Sequence, residues 1–129
     1  MAMTPEGRVK AAVKKLLKER GIWHYMPVQN GMGVVGIPDI ICCWNGLLLA
    51  IETKAPNKNP TTIEQRWKKA TPNQQNQITG INESGGLAMV VDDVEQVRML
   101  LDHPEFIRPI IRSVYGCQPE IDDVEADTR

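Results

Sequence analysis

Residues 36–54 read GIPDIICCWNGLLLAIETK, and their reading decides the fold. Two apolar runs flank Asn45-Gly46, the strongest short hairpin signal, because a two-residue turn needs positive φ at both central positions. A turn there sets Trp44 against Leu47, Cys43 against Leu48, Ile41 against Ala50 and Asp39 against Glu52. Side chains alternate along a strand, so Lys54, two residues beyond Glu52, projects from the same face. The continuous apolar flanks predict a strand pair covered on both faces. Two opposed carboxylates at the end of such a hairpin repel one another and are costly to desolvate. Either they share a proton at a raised pKa or they hold a divalent cation. Hard oxygen ligands suit Mg²⁺, which keeps several waters and needs only one or two carboxylates. A water on such an ion is acidified, and a neighbouring lysine can orient it or stabilise charge on a phosphate. The plainer alternative makes Asp39 a turn residue after Pro38 and Glu52–Lys54 an edge-strand charge pair. The convergence of three charges on one face favours the cation site and, with it, phosphodiester hydrolysis.

Outward from the hairpin, residues 4–21 have the signals of a helix. Thr4 stands as N-cap, Pro5 at the first helical position and Glu6 in the first turn. Val9, Ala12, Val13, Leu16 and Leu17 form an inward stripe that Glu6 shares, the lysines fall mostly outward, and Gly21 is a stop. IWHYMPV is a strand ending near Pro27, and QNGMGVVG is a loop. Residues 55–70 are polar and basic and read as an unusually long connection. Thr71 and Pro72 restart a helix with Ile78 and Ile81 buried, ended by Gly85 or Gly86. LAMVV is a buried strand. DDVEQVRMLL is an amphipathic helix capped by Asp92 or Asp93, and FIRPIIRSVYG is a further segment that packs on the domain or on a partner. The order α-β-β-β-α-β-α predicts a mixed α/β or α+β domain.

The 129 residues suit one domain over 1–117, with its core at about 4–101 and an acidic, disordered tail over 118–129. No apolar run approaches membrane-spanning length and the N-terminal region is basic, so a soluble, cytoplasmic protein is expected. Three cysteines, Cys42, Cys43 and Cys117, show neither an even count nor metal-ligand spacing; Cys42 and Cys43 read as small core hydrophobes on opposite faces of a strand. The net charge of −1 conceals two basic segments and an acidic end. Arg8, Lys10, Lys14, Lys15, Lys18 and Arg20 outnumber Glu6 and Glu19, and Lys54, Lys58, Arg66, Lys68 and Lys69 outnumber Glu64. Such segments admit a nucleic-acid partner; charge alone fits a solvated helix face equally.

Pro38-Asp39 with Glu52-Thr53-Lys54 resembles the signature of the PD-(D/E)XK nuclease superfamily. With GIPDIICCWNGLLLAIETKAP followed by TPNQQNQITGINESGGLAMVV, the chain resembles more specifically a VRR-NUC domain, the virus-type replication and repair nuclease. The resemblance covers roughly residues 4–101. It implies a restriction-endonuclease-like α-β-β-β-α-β core, a central mixed sheet flanked by helices, and Mg²⁺- or Mn²⁺-dependent cleavage of DNA. It makes Asp39 and Glu52 metal ligands together with the backbone carbonyl of Thr53, Lys54 the catalytic lysine, and Gln74 and Glu6 further members of the site. For Glu6 an alternative is a helix-dipole role, and for Gln74 a structural amide.

Short members of the family act as homodimers on branched DNA such as four-way junctions, so branched DNA and a second copy are the expected partners, with no membrane and no small-molecule cofactor. Lys58, Arg66, Lys68, Lys69 and Lys14 are candidate phosphate contacts, and Trp67 is a candidate for stacking on a base. The alternatives are a non-catalytic junction-binding module, a proton-sharing structural domain, and a nuclease acting on flaps, nicks or linear duplex.

Overall fold

A computed structural model describes residues 3–28 and 33–116. The elements are α1 (Pro5–Glu19), β1 (Trp23–Tyr25), β2 (Ile40–Trp44), β3 (Leu47–Thr53), α2 (Ile63–Lys69), α3 (Pro72–Glu83), β4 (Leu87–Val91), α4 (Val94–Asp102) and α5 (Pro104–Tyr115). The strands form one sheet in the order β1-β2-β3-β4. The first three are antiparallel neighbours, and β3 runs parallel to β4. This is the mixed, helix-flanked sheet expected. The tail from residue 118, Cys117 and the QNGM segment lie outside the described residues.

The hairpin forms as its sequence dictates. Asn45 and Gly46 take φ of 50° and 81°, and the ladder runs from Trp44↔Leu47 to Ile40↔Ile51. Asp39 lies one residue before β2, outside the ladder. The apolar flanks are not covered evenly. Every residue of β4 is buried, and so are the last five of β3. In the β1–β2 half, Cys43, Trp23 and Tyr25 are exposed, and so is Leu48 near the start of β3. The prediction of two covered faces holds only where helices reach the sheet: α2, α3, α4 and α5 contact β4, whereas α1 reaches β1 and β3.

The helices are fixed at their ends by the local chemistry of their caps. Thr4 accepts a hydrogen bond from the Gly7 amide at 3.0 Å, and Val9, Val13, Leu16 and Leu17 bury the inward stripe of α1. Its C-terminus closes with the Gly21 amide on the Lys18 carbonyl and the Ile22 amide on that of Leu17, with Gly21 at φ 69°, a Schellman stop. Asn82 ties α3 to β4: its side chain donates to the Ala88 carbonyl at 3.0 Å and accepts from the Ala88 amide at 2.9 Å.

Residues 55–70 are not one long loop. Ile63–Lys69 form α2, started by a capping box in which Thr62 and Gln65 satisfy one another's backbone amides. The FIRPIIRSVYG segment forms most of α5 and packs on the domain, burying Ile111 and Tyr115. Among the described residues, no helix is long and apolar enough to cross a membrane.

Candidate active site

Three structural devices converge where β3 leaves the sheet. The first is Asp39. Its Oδ2 accepts from the Thr53 amide at 2.9 Å and the Thr53 hydroxyl at 2.7 Å, so the carboxylate is clamped to the end of β3 and does not face Glu52 as a ladder pair. Its other oxygen, Oδ1, lies 3.7 Å from Nζ of Lys10 on α1. Gly36 makes this approach possible. It takes φ 83°, and a Cβ there would collide with the Asn73 carbonyl and sit 2.8 Å from the Gln74 amide nitrogen. The Gly-Ile-Pro-Asp turn therefore lies directly on the first turn of α3.

The second device is that first turn. Thr71 caps α3, and Gln74 completes a capping box. The Gln74 Oε1 accepts from the Thr71 amide at 2.9 Å and from Lys54 Nζ at 2.9 Å. Its Nε2 donates to Glu52 Oε2 at 3.1 Å. One amide thus starts a helix and joins the lysine to the carboxylate. The third device is burial of Glu52, which is 2% exposed. Lys54 Nζ lies 3.5 Å from its Oε2, while its Oε1 is buried with no hydrogen-bond partner.

Burial pushes the Glu52 carboxyl up from 4.5 to about 7. The Asp39 carboxylate adds to that push, Lys54 opposes it, and Glu6 on α1 adds a smaller one. Glu6 therefore lies near enough to act on Glu52 through charge.

The residues present fit a hard divalent cation. Asp39 Oδ1 and the unsatisfied Glu52 Oε1 are oxygen donors on a site of net negative character, and a buried carboxylate oxygen without a donor is costly unless a cation or proton meets it. Among the described residues, no group of three His, Cys, Asp or Glu side chains is assembled to hold a metal ion. The donor set is that of a cation held through one or two carboxylates, with water completing its shell.

No family model matches the sequence, and no curated protein matches it. Among solved structures, a VRR_NUC domain aligns with a TM-score of 0.59 at 22% identity, covering 78% of this chain and 98% of that one. The fold is that of a VRR_NUC domain.

Within this VRR_NUC fold, the basic segment after β3 departs from expectation. Arg66 is buried, donating through Nε to the Val90 carbonyl at 3.2 Å and through Nη1 to the Thr61 carbonyl at 2.7 Å. Lys69 pairs with buried Asp92 at 2.9 Å and donates to the Ala55 carbonyl at 3.2 Å. Trp67 is half-buried, its ring 5.0 Å from that of Tyr115. These three candidate DNA contacts are each engaged within the domain. The reason is α2: winding residues 63–69 into a helix turns Arg66 and Trp67 toward β4 and α5. Lys58, Lys68 and Lys14 are exposed. The exposed aromatic pair is Trp23 and Tyr25 on β1, with ring centroids 5.5 Å apart.

Lys10 joins the site although it falls among the lysines read as mostly outward. The signal for it is spacing: it lies four residues after Glu6, on the same stripe. The second role of Gln74, as half of a capping box, is legible in Thr71-x-x-Gln74.

Proposed function

We propose that this domain is a metal-dependent DNA endonuclease that hydrolyses phosphodiester bonds in branched DNA, such as four-way junctions, and works as a homodimer. The observation that carries the reading is the pairing of a buried, unsatisfied Glu52 oxygen with a Lys54 ammonium held by Gln74. A structural ion pair has no use for the unsatisfied atom. A cation site does.

Asp39 Oδ1, Glu52 Oε1 and the Thr53 carbonyl would hold Mg²⁺ or Mn²⁺, with Glu6 acting on it through charge. When bound, the ion supplies a nucleophilic water at neutral pH and charge stabilisation at the phosphate. The chain's own residues do the rest. Thr53 fixes the Asp39 carboxylate by two hydrogen bonds, which leaves Oδ1 for the ion. Gln74 accepts from Lys54 and so orients its ammonium beside Glu52. There it can steady the attacking water or the negative charge that builds on the phosphate. The exposed Lys58, Lys68 and Lys14 would meet the DNA backbone, a role that sets position without reading sequence. A two-fold pair of such sites would cut two symmetric strands of a junction.

The test is a panel of labelled four-way, flap, nicked and linear DNA incubated with Mg²⁺, Mn²⁺ or EDTA. Cleavage of the four-way substrate with metal and none in EDTA is expected. No cleavage of any substrate with either ion overturns the proposal, and cleavage confined to linear duplex overturns the branched-DNA part. Light scattering tests the dimer.

A further inference from the structure

Asp39 spends one oxygen on Thr53 and presents the other, Oδ1, to Lys10 Nζ at 3.7 Å. Among the described residues, Lys10 is the basic side chain within ion-pair distance of Asp39. The lysine is not a solvated surface group: its side chain is 27% exposed and that of Asp39 15%. Its position is set by α1, whose Val9, Val13, Leu16 and Leu17 are buried. Lys54, the other ammonium of the site, is tied to Glu52 and Gln74. The oxygen that Lys10 faces is the one Asp39 would offer to a divalent ion. The two cations cannot share it without strong repulsion at close range.

We propose that Lys10 is the resident counter-cation of the acidic site and that a divalent ion must displace it in order to bind. This rests on the cation site of the proposed function and adds a control on its loading. With the site empty of metal, the ammonium offsets the charge of Asp39. With metal bound, it withdraws from Oδ1. The isolated protein therefore takes up metal more weakly than its carboxylates alone would allow.

Two measurements on the full chain test this without cleavage. The first is calorimetric titration of Mn²⁺, without DNA, into the wild type, Lys10→Met and Lys10→Arg. The Lys10→Met protein should bind Mn²⁺ about tenfold tighter, since one like charge at partly screened range is gone, and Lys10→Arg should stay near wild type. Unchanged or weaker binding by Lys10→Met overturns the proposal. The second is a thermal double-mutant cycle in EDTA with Lys10→Met and Asp39→Asn. Lys10→Met should lower Tm in the wild-type background and leave it unchanged in the Asp39→Asn background, and strictly additive shifts overturn the counter-cation role. If neither the wild type nor Lys10→Met binds Mn²⁺, the proposed function fails and the displacement fails with it, whereas the cycle still reports whether Lys10 neutralises Asp39.

Discussion

Two buried acids stand at the ends of the two parallel strands, and each has a lysine and a glutamine beside it. Glu52 is near the end of β3 with Lys54 and Gln74; Asp92 directly follows β4 with Lys69 and Gln96. Both are almost fully buried, at 2% and 4% exposure. They differ in completeness. Asp92 Oδ2 accepts from Thr61 at 2.8 Å and Lys69 at 2.9 Å, and Oδ1 accepts from Gln96 at 2.8 Å. Burial would raise the Asp92 carboxyl, but the hydrogen bonds from Lys69, Gln96 and Thr61 outweigh it and hold it below its usual 3.8. Glu52 has one oxygen left over, a second acid nearby, and a carboxyl pushed up to about 7. The same kinds of parts make a lock when every atom is satisfied and leave an acceptor open to a cation or a proton when one is not.

The largest expected difference is in cleavage. Lys54→Ala or Asp39→Ala should lower the rate of junction cleavage by a factor of about 10² or more, since each removes charge stabilisation at the reacting phosphate or its ion. Junction binding should remain, because the exposed lysines are untouched. Lys69→Met, which strips the lysine from the other acid, should leave the cleavage rate per folded molecule unchanged. Single-turnover assays with gel-shift controls measure both. A Lys54→Ala protein that cuts like wild type would erase the proposed distinction between the two acids.

In stability the ranking reverses. Lys69→Met leaves Asp92 buried without its cation and should cost about 3 kcal/mol, the usual scale for breaking a buried pair. Lys69 also holds the segment after β3 through Ala55 and Asn57. Urea unfolding in EDTA checks the cost. Lys54→Met should cost less, because with the ammonium gone Glu52 can take up a proton.

The two acids should also respond to pH with opposite signs. The folded pKa of Glu52, about 7, lies above its ordinary 4.5, so the folded state binds more protons between those values. Stability of the metal-free protein from this group is therefore present below pH 4.5 and lost as pH rises toward 7, by at most about 3 kcal/mol. The folded pKa of Asp92 lies below 3.8, so its contribution is present above that value and lost as pH falls further. Glu52→Gln should flatten the decline between pH 4.5 and 7 and leave the acid limb in place; Asp92→Asn should do the reverse. Denaturant midpoints across pH 3 to 8 in EDTA decide it. A decline that survives Glu52→Gln would mean that another group titrates there.

Much of the Glu52 cluster is legible in the sequence, and little of the Asp92 cluster. Asn45-Gly46 determines the register of the hairpin through local backbone geometry, so the places of Glu52 and Lys54 follow by counting. Gln74 is named by the family resemblance, and its spacing of four and seven residues before Ile78 and Ile81 puts it on the inward face of α3. The Asp92 lock does not, because its partners come from residues 61, 69 and 96 and no local pattern couples them. Arg66 is equally opaque: its basic charge shows in the sequence, but its acceptor, the Val90 carbonyl, lies 24 residues away. α2 escapes a periodicity reading because seven mostly polar residues carry too little of it. Its capping box, Thr62-x-x-Gln65, has the same form as Thr71-x-x-Gln74 and is the available signal. Asp39 shows the limit of counting. The register places it opposite Glu52, but the chain leaves the ladder one residue earlier and the carboxylate turns to Thr53.

The smallest effects should come from the basic residues outside both clusters, and they separate charge that is free from charge that is spent. Lys58 and Lys68 are exposed, whereas Arg66, two residues from Lys68, is buried against β4. Lys58→Ala and Lys68→Ala should each leave stability within about 0.5 kcal/mol of wild type, as surface substitutions do. If each contacts one phosphate, each should reduce the slope of log K against log salt for DNA binding by about 0.9. Arg66→Met should do the opposite: a clear loss of stability, because the Val90 and Thr61 carbonyls lose their donor, and no change in the salt slope of the folded protein. Fluorescence anisotropy at several salt concentrations, with parallel unfolding curves, measures both quantities on the same samples. A salt slope that changes for Arg66→Met and not for Lys68→Ala would mean that α2 presents its other face to DNA, and that the internal bonds of Arg66 give way when DNA binds.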